Sequence, residues 1–88
     1  MKGQVKEVKR VAWCGKGGTP SSVETVKDQV IVWPRGAAKF ARDWARNHSA
    51  FAVAVETKDG DITYRDRKGN KIDGHAILHY LLTKKRGR

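Results

Sequence analysis

Residues 50–67, Ala50-Phe51-Ala52-Val53-Ala54-Val55-Glu56-Thr57-Lys58-Asp59-Gly60-Asp61-Ile62-Thr63-Tyr64-Arg65-Asp66-Arg67, carry the pattern from which the fold is read. Phe51, Val53 and Val55 alternate with Ala50, Ala52 and Ala54, and Ile62 and Tyr64 alternate with Thr63 and Arg65, the period of two that marks strands. Between the two runs Asp59-Gly60 supplies the pair favoured in a type I′ turn, whose two central residues need positive φ. A β-hairpin over 50–57 and 61–67 follows. Centred on Asp59-Gly60, it pairs Thr57 with Ile62, Glu56 with Thr63, Val55 with Tyr64 and Ala54 with Arg65. That register gathers the large apolar residues on one face and the small or basic ones on the other, which predicts a sheet covered on one side.

The segment before the hairpin is the clearest helix, 35–47. Pro34 suits its start, Ala37, Ala38, Ala41 and Ala45 are strong helix formers, and Asn47-His48-Ser49 ends it. At about 100° per residue, Ala37, Phe40, Ala41, Trp44 and Ala45 fall on one core-facing side. Further back, Val30-Ile31-Val32-Trp33 reads as a strand over about 28–33, since Pro34 holds Trp33 extended. A turn or short helix is expected ahead of it, with Ser21-x-x-Glu24 resembling a capping box. Residues 14–22, rich in Gly, Ser and Pro, read as a loop. Residues 4–13 read as a strand, although Val5, Val8 and Val11 do not alternate strictly.

After the hairpin, Lys68-Gly69-Asn70 is a turn, and Asp73 is placed to cap a helix over 74–84 with an apolar arc of Ile77, Leu78, Leu81 and Leu82. The fold class is α+β: one small domain over 1–83, an antiparallel sheet of about four strands, and two helices packed on one face. A mobile basic tail, 84–88, completes it.

Composition narrows the function. The chain has 88 residues, room for one core, and its 19 Lys and Arg outnumber 9 Asp and Glu for a net charge of +10. No apolar stretch approaches the roughly 20 residues of a membrane span, so no membrane partner is expected. Met1–Glu7 lacks the apolar core of a secretory signal. One cysteine, Cys14, cannot form an internal disulfide, which points to the cytoplasm.

The charges concentrate in places. Arg35, Lys39, Arg42 and Arg46, spaced 4, 3 and 4, project within a wedge of about 60° opposite Phe40 and Trp44. Such a ridge suits a row of phosphates, because each neutralised phosphate releases counterions. It also suits an acidic protein groove, or simply solvent. On the hairpin, Thr63, Arg65 and Arg67 are placed with Ala52 and Ala54, Glu56 lies diagonally from Arg65, and Lys68 and Lys71 extend the basic face around the turn. Lys84, Lys85, Arg86 and Arg88 add the tail. Trp13 and Trp33 are candidate aromatic anchors, although core positions suit both.

Other motifs carry less. The loop Cys14-Gly15-Lys16-Gly17-Gly18-Thr19 has no Gly-Lys-Ser/Thr and is followed by Pro20, so it is no nucleotide-binding P-loop; an anion nest or contact loop is open to it. His75 and His79 at i and i+4 would need Cys14 and His48 to complete a zinc site, and neither Cys-x-x-Cys nor the metalloprotease pattern is present. No metal or cofactor is expected. The expected function is a non-enzymatic DNA- or RNA-binding protein gripping mainly phosphates. The alternative is a small inhibitor or adaptor docked on an acidic protein surface, and the third is a metal-independent nuclease using His48, His75, His79 or Tyr64.

Overall fold

The computed structural model describes residues 4–84. Strand β1 (Gln4–Cys14) leads through a single 3-10 turn at Lys16–Gly18 into β2 (Ser21–Thr25) and β3 (Val30–Trp33). Helix α1 (Arg35–His48), strands β4 (Ala52–Thr57) and β5 (Ile62–Asp66) and helix α2 (Ala76–Thr83) follow. The strands form one antiparallel sheet in the order β2-β1-β4-β5, and β3 also pairs with β1. An α+β domain is therefore what the chain forms. Among the described residues no helix is long and apolar enough to cross a membrane.

The expected loop over 14–22 shrinks to 15–20. Cys14 closes β1, and the segment read as a turn or short helix is strand β2, paired Arg10 to Thr25 through Cys14 to Ser21. The Ser21-x-x-Glu24 pattern therefore caps nothing: tertiary pairing to β1 outweighs a weak local preference. Strands β2 and β3 follow the same edge of β1. They are bridged by Val26 N–H to the Lys9 carbonyl (2.9 Å) and Val8 N–H to the Gln29 carbonyl (2.8 Å). Asp28 takes φ +61° in the interruption between them, and the unexpected β2 brings the sheet to five strands where about four were expected.

Strand β1 shifts register between Val8 and Arg10. This bulge inserts Lys9 and turns both Val8 and Val11 to the same side, which accounts for valines three apart in a true strand.

The hairpin is present, but its register differs by one residue. Glu56 pairs with Ile62, Val55 with Thr63, Ala54 with Tyr64 and Val53 with Arg65. Gly60 N–H reaches the Thr57 carbonyl (3.0 Å) and Thr57 N–H the Asp61 carbonyl (2.8 Å), with Gly60 at φ +98°. This is a three-residue loop ending in a left-handed glycine, not the two-residue turn expected from Asp-Gly.

One residue of slip moves every β5 side chain to the other face. Val53, Val55 and Thr63 now face α1; Ala52, Ala54, Ile62 and Tyr64 face α2. The helices consequently cover opposite faces of the sheet, not one. Under α1, Val8, Val11, Val53, Val55, Ile31 and the alanines 37, 41 and 45 form one core, flanked by half-buried Trp13, Trp33, Phe40 and Trp44. Under α2, Ala12, Cys14, Ala52, Ala54, Leu78 and Leu82 form a thinner one. The small side chains of Ala52 and Ala54 are what lets α2 approach the sheet. Helix α2 is shorter than expected, with His75 rather than Asp73 at its N-cap and no side-chain cap.

Candidate functional site

Helix α1 docks through Ala37, Ala41 and Ala45, so Arg35, Lys39, Arg42 and Arg46 are all exposed. The four do not act alike. Lys39 lies 3.3 Å from the Asp43 carboxylate, which softens the N-terminal half of the ridge. Arg42 and Arg46 instead face an open depression of about 630 Å³, where Arg67, Lys68 and Lys16 join them.

Three separate chain segments build this cup. The first is the C-terminal half of α1, stopped by Ser49, whose left-handed backbone (φ +53°) returns its N–H to the Ala45 carbonyl. The second is the turn after β5. Gly69, at φ +93°, packs so closely on α1 that a β-carbon there would stand 2.8 Å from the Ala38 carbonyl oxygen and 3.6 Å from Arg42 Cβ. A glycine is required there for both reasons, and it sets Arg67 and Lys68 beside Arg42. The turn is held by Asp66, whose Oδ1 accepts the N–H groups of Lys68 and Asn70, both at 2.9 Å. Burial alone would raise the Asp66 carboxyl; the donors of Asn70, Lys68 and Gly69 outweigh it and hold it below the usual range. The third segment is the 3-10 turn carrying Lys16, fixed by Gly15 N–H to the Pro20 carbonyl (2.7 Å) and by Gly18 packed on Ile77.

The rest of the lining is Ala45, Ser49, Ala50 and Phe51. Phe51 precedes β4 and is 45% exposed, although its backbone is pinned by N–H donation to the Cys14 carbonyl at 2.7 Å. Among the described residues no carboxylate lines the cup, and none of its five cations forms an ion pair.

Arg65 is placed differently from its expected position. It projects on the α1 side of the sheet, where Nε donates to Thr63 Oγ1 (3.1 Å) and the guanidinium donates to the carbonyls of Gly69 (3.1 Å) and Pro34 (3.4 Å). It supports the turn that carries Arg67. Its expected neighbour Glu56 pairs instead with Arg10 at 2.7 Å. Lys71 bridges to Arg65 through the backbone, outside the cup. Lys84 stands beyond α2, 5.8 Å from the Tyr80 ring. Lys85, Arg86 and Arg88 lie outside the described residues. Trp13 packs edge-on against Trp44 at 5.4 Å, and Trp33 rests on the same core, so both are half-buried.

The histidines are dispersed. His48 stacks on Trp44 at 4.4 Å on the α1 side. Across the sheet, His75 Nε2 lies 3.6 Å from Cys14 Sγ, and His79 Nδ1 lies 3.1 Å from the Tyr64 hydroxyl. Cys14 and His75 do meet, but among the described residues no three potential ligands gather. No histidine lines the cup.

Sequence reasoning passed over Phe51 and underweighted Lys16. Lys16 had a signal, a lone cation in a glycine loop. Phe51 had none, because alternation groups it with Val53 and Val55 and only the end of α1 decides that it stays uncovered. The fold and the cup define a small α+β domain bearing a cationic concavity. No protein-family model matches the chain, and comparison with curated proteins and with solved structures likewise gives no match.

Proposed function

We propose that this chain is a non-enzymatic nucleic-acid-binding protein that holds phosphates in the cup formed by Lys16, Arg42, Arg46, Arg67 and Lys68. The observation that carries this reading is the convergence of five unpaired cations from three chain segments on one concave site with no carboxylate in its lining. Surface charges of a basic protein ordinarily disperse or pair; drawing like charges together is unfavourable unless an anion occupies the space between them. The cytoplasm is the proposed compartment, where Cys14 stays a thiol.

Neutralising about five phosphates gives a slope of log K against log salt of about −4.5 on duplex DNA and about −3.5 on single strands. Fluorescence anisotropy across a salt series tests this, together with the double variant Arg42→Glu/Arg46→Glu. Steep salt dependence with loss of binding in the variant supports the reading; unchanged affinity in the variant overturns it.

A second reading, a module that docks on another protein, draws on a different surface. Val5 (69% exposed), Val30 (59%) and Val32 (46%) lie together on the sheet face opposite Ile31, with Val5 paired to Val32, beyond the cover of α2. An apolar patch of this kind supplies the anchor that charge alone lacks. The half-buried Trp13 and Trp33 are poorer anchors than these valines.

A further inference from the structure

Resting on the nucleic-acid reading, we infer that the cup takes an unpaired nucleotide, with Phe51 as the surface on which its base stacks and the surrounding cations on the flanking phosphates. Phe51 is a large apolar side chain left 45% exposed in the lining of a site whose other long side chains are all cationic. A site meant only for phosphate has no use for an aromatic ring, because phosphate is strongly hydrated and gains nothing from an apolar surface. A nucleotide has both components, a flat π-face and an anion, in the proportion the cup offers.

The geometry also selects the form of the strand. In a duplex the base faces are stacked on one another, and the surface offered to a concave site is phosphate and sugar. Only an unpaired base can enter a depression and lie against a ring in its lining. The platform is held still on both sides. Ala50 N–H bonds the Ala45 carbonyl at 2.9 Å, and Phe51 N–H bonds the Cys14 carbonyl at 2.7 Å, so the ring sits where α1 and β1 converge. Arg42 and Arg46 come from a helix and Arg67 and Lys68 from a glycine-locked turn, so phosphates on either side of the base meet rigid supports. Stacking on a ring distinguishes bases weakly, which predicts little sequence preference.

The test uses the full chain and four fluorescein-labelled 12-mers: single-stranded DNA, single-stranded RNA, an abasic DNA strand of equal charge, and a DNA duplex. Either natural single strand should bind more tightly than the abasic strand and the duplex. Phe51→Ala and Phe51→Leu should each lose roughly tenfold on the natural strands and nothing on the abasic one, while Phe51→Tyr retains wild-type affinity. Circular dichroism of each variant confirms an intact fold, as expected for an exposed side chain. Equal binding of natural and abasic strands, with binding still abolished by Arg42→Glu/Arg46→Glu, overturns the stacking inference and leaves the phosphate reading standing. Failure of every 12-mer to bind near physiological salt overturns both.

Discussion

Lys6 and Asp59, 53 positions apart, meet in an ion pair of 2.5 Å that ties the tip of the β4–β5 hairpin to β1. Asp61 shares the same ammonium at 2.9 Å, and the Thr57 hydroxyl bonds the other oxygen of Asp59. The carboxylates hold Lys6 above its ordinary pKa, and the Lys6 ammonium, then the Thr57 hydroxyl, hold Asp59 below its own.

These shifts predict a loss of stability in acid. A carboxyl whose pKa is lower folded than unfolded stabilises the protein above the unfolded value, about 3.9, and that stabilisation is lost as pH falls through the folded value. Asp59 and Asp66 both behave this way. Urea midpoints should be flat near neutrality and drop below about pH 4. Asp59→Asn should flatten the drop, and an unchanged acid limb in that variant would count against the pair.

The two halves of the α1 ridge should separate on charge reversal. Arg42→Glu and Arg46→Glu are expected to weaken oligonucleotide binding by about tenfold or more each at physiological salt. Arg35→Glu and Lys39→Glu, outside the cup, should cost less than about threefold through long-range field alone. Equal losses at all four positions would favour a straight ridge over a cup.

Glycines 60 and 69 share a positive φ and differ in what surrounds them. An added β-carbon at Gly60 meets nothing within 4 Å; at Gly69 it meets the Ala38 carbonyl. Gly60→Ala should cost about 1 kcal/mol of strain, and Gly69→Ala about 1–2 kcal/mol more as the turn is pushed off α1. Only Gly69→Ala should also weaken binding, since it displaces Arg67 and Lys68.

Cys14 is fully buried, and burial pushes its thiol above the ordinary value despite a backbone bond from Ala52. Ellman's reagent at pH 7 should therefore label it only as fast as the fold opens, and completely in denaturant. Rapid labelling of the native chain would contradict its place under α2.

Leu78 is fully buried and, with the nearly fully buried Leu82, fills most of the thin core beneath α2. Leu78→Ala should cost about 2–5 kcal/mol by urea titration, a large share of a small domain's stability. Binding by the residual folded protein should persist, because four of the five cup cations, Arg42, Arg46, Arg67 and Lys68, stand on α1 and the turn after β5 rather than against α2.

The parts of the fold that were legible in the sequence are those with local causes. Helix α1 needed only the alanine spacing 37, 41, 45 and the Pro34 and Ser49 boundaries, and the hairpin needed only its alternation. The register was not legible, because Asp59-Gly60 serves a two- or a three-residue loop equally, and Asp61 and Thr57 choose between them through hydrogen bonds across the turn. From that one slip came the misplacement of Arg65 and of α2. Strand β2 was hidden because Ser21–Thr25 gains its structure from pairing with β1. At the candidate site, Arg42, Arg46, Arg67 and Lys68 were readable as charges, but their meeting was not, since it depends on how Gly69 seats against Ala38.

The crowded cations of the cup also bear on the free protein. Folding brings Lys16, Arg42, Arg46, Arg67 and Lys68 closer than they stand in the open chain, so mutual repulsion works against the native state. Indifferent salt should accordingly firm the fold rather than loosen it, and a bound polyanion should raise the melting temperature further. The cup is a point of electrostatic tension in the fold, and the anion proposed for it would act as the missing counterion of that architecture.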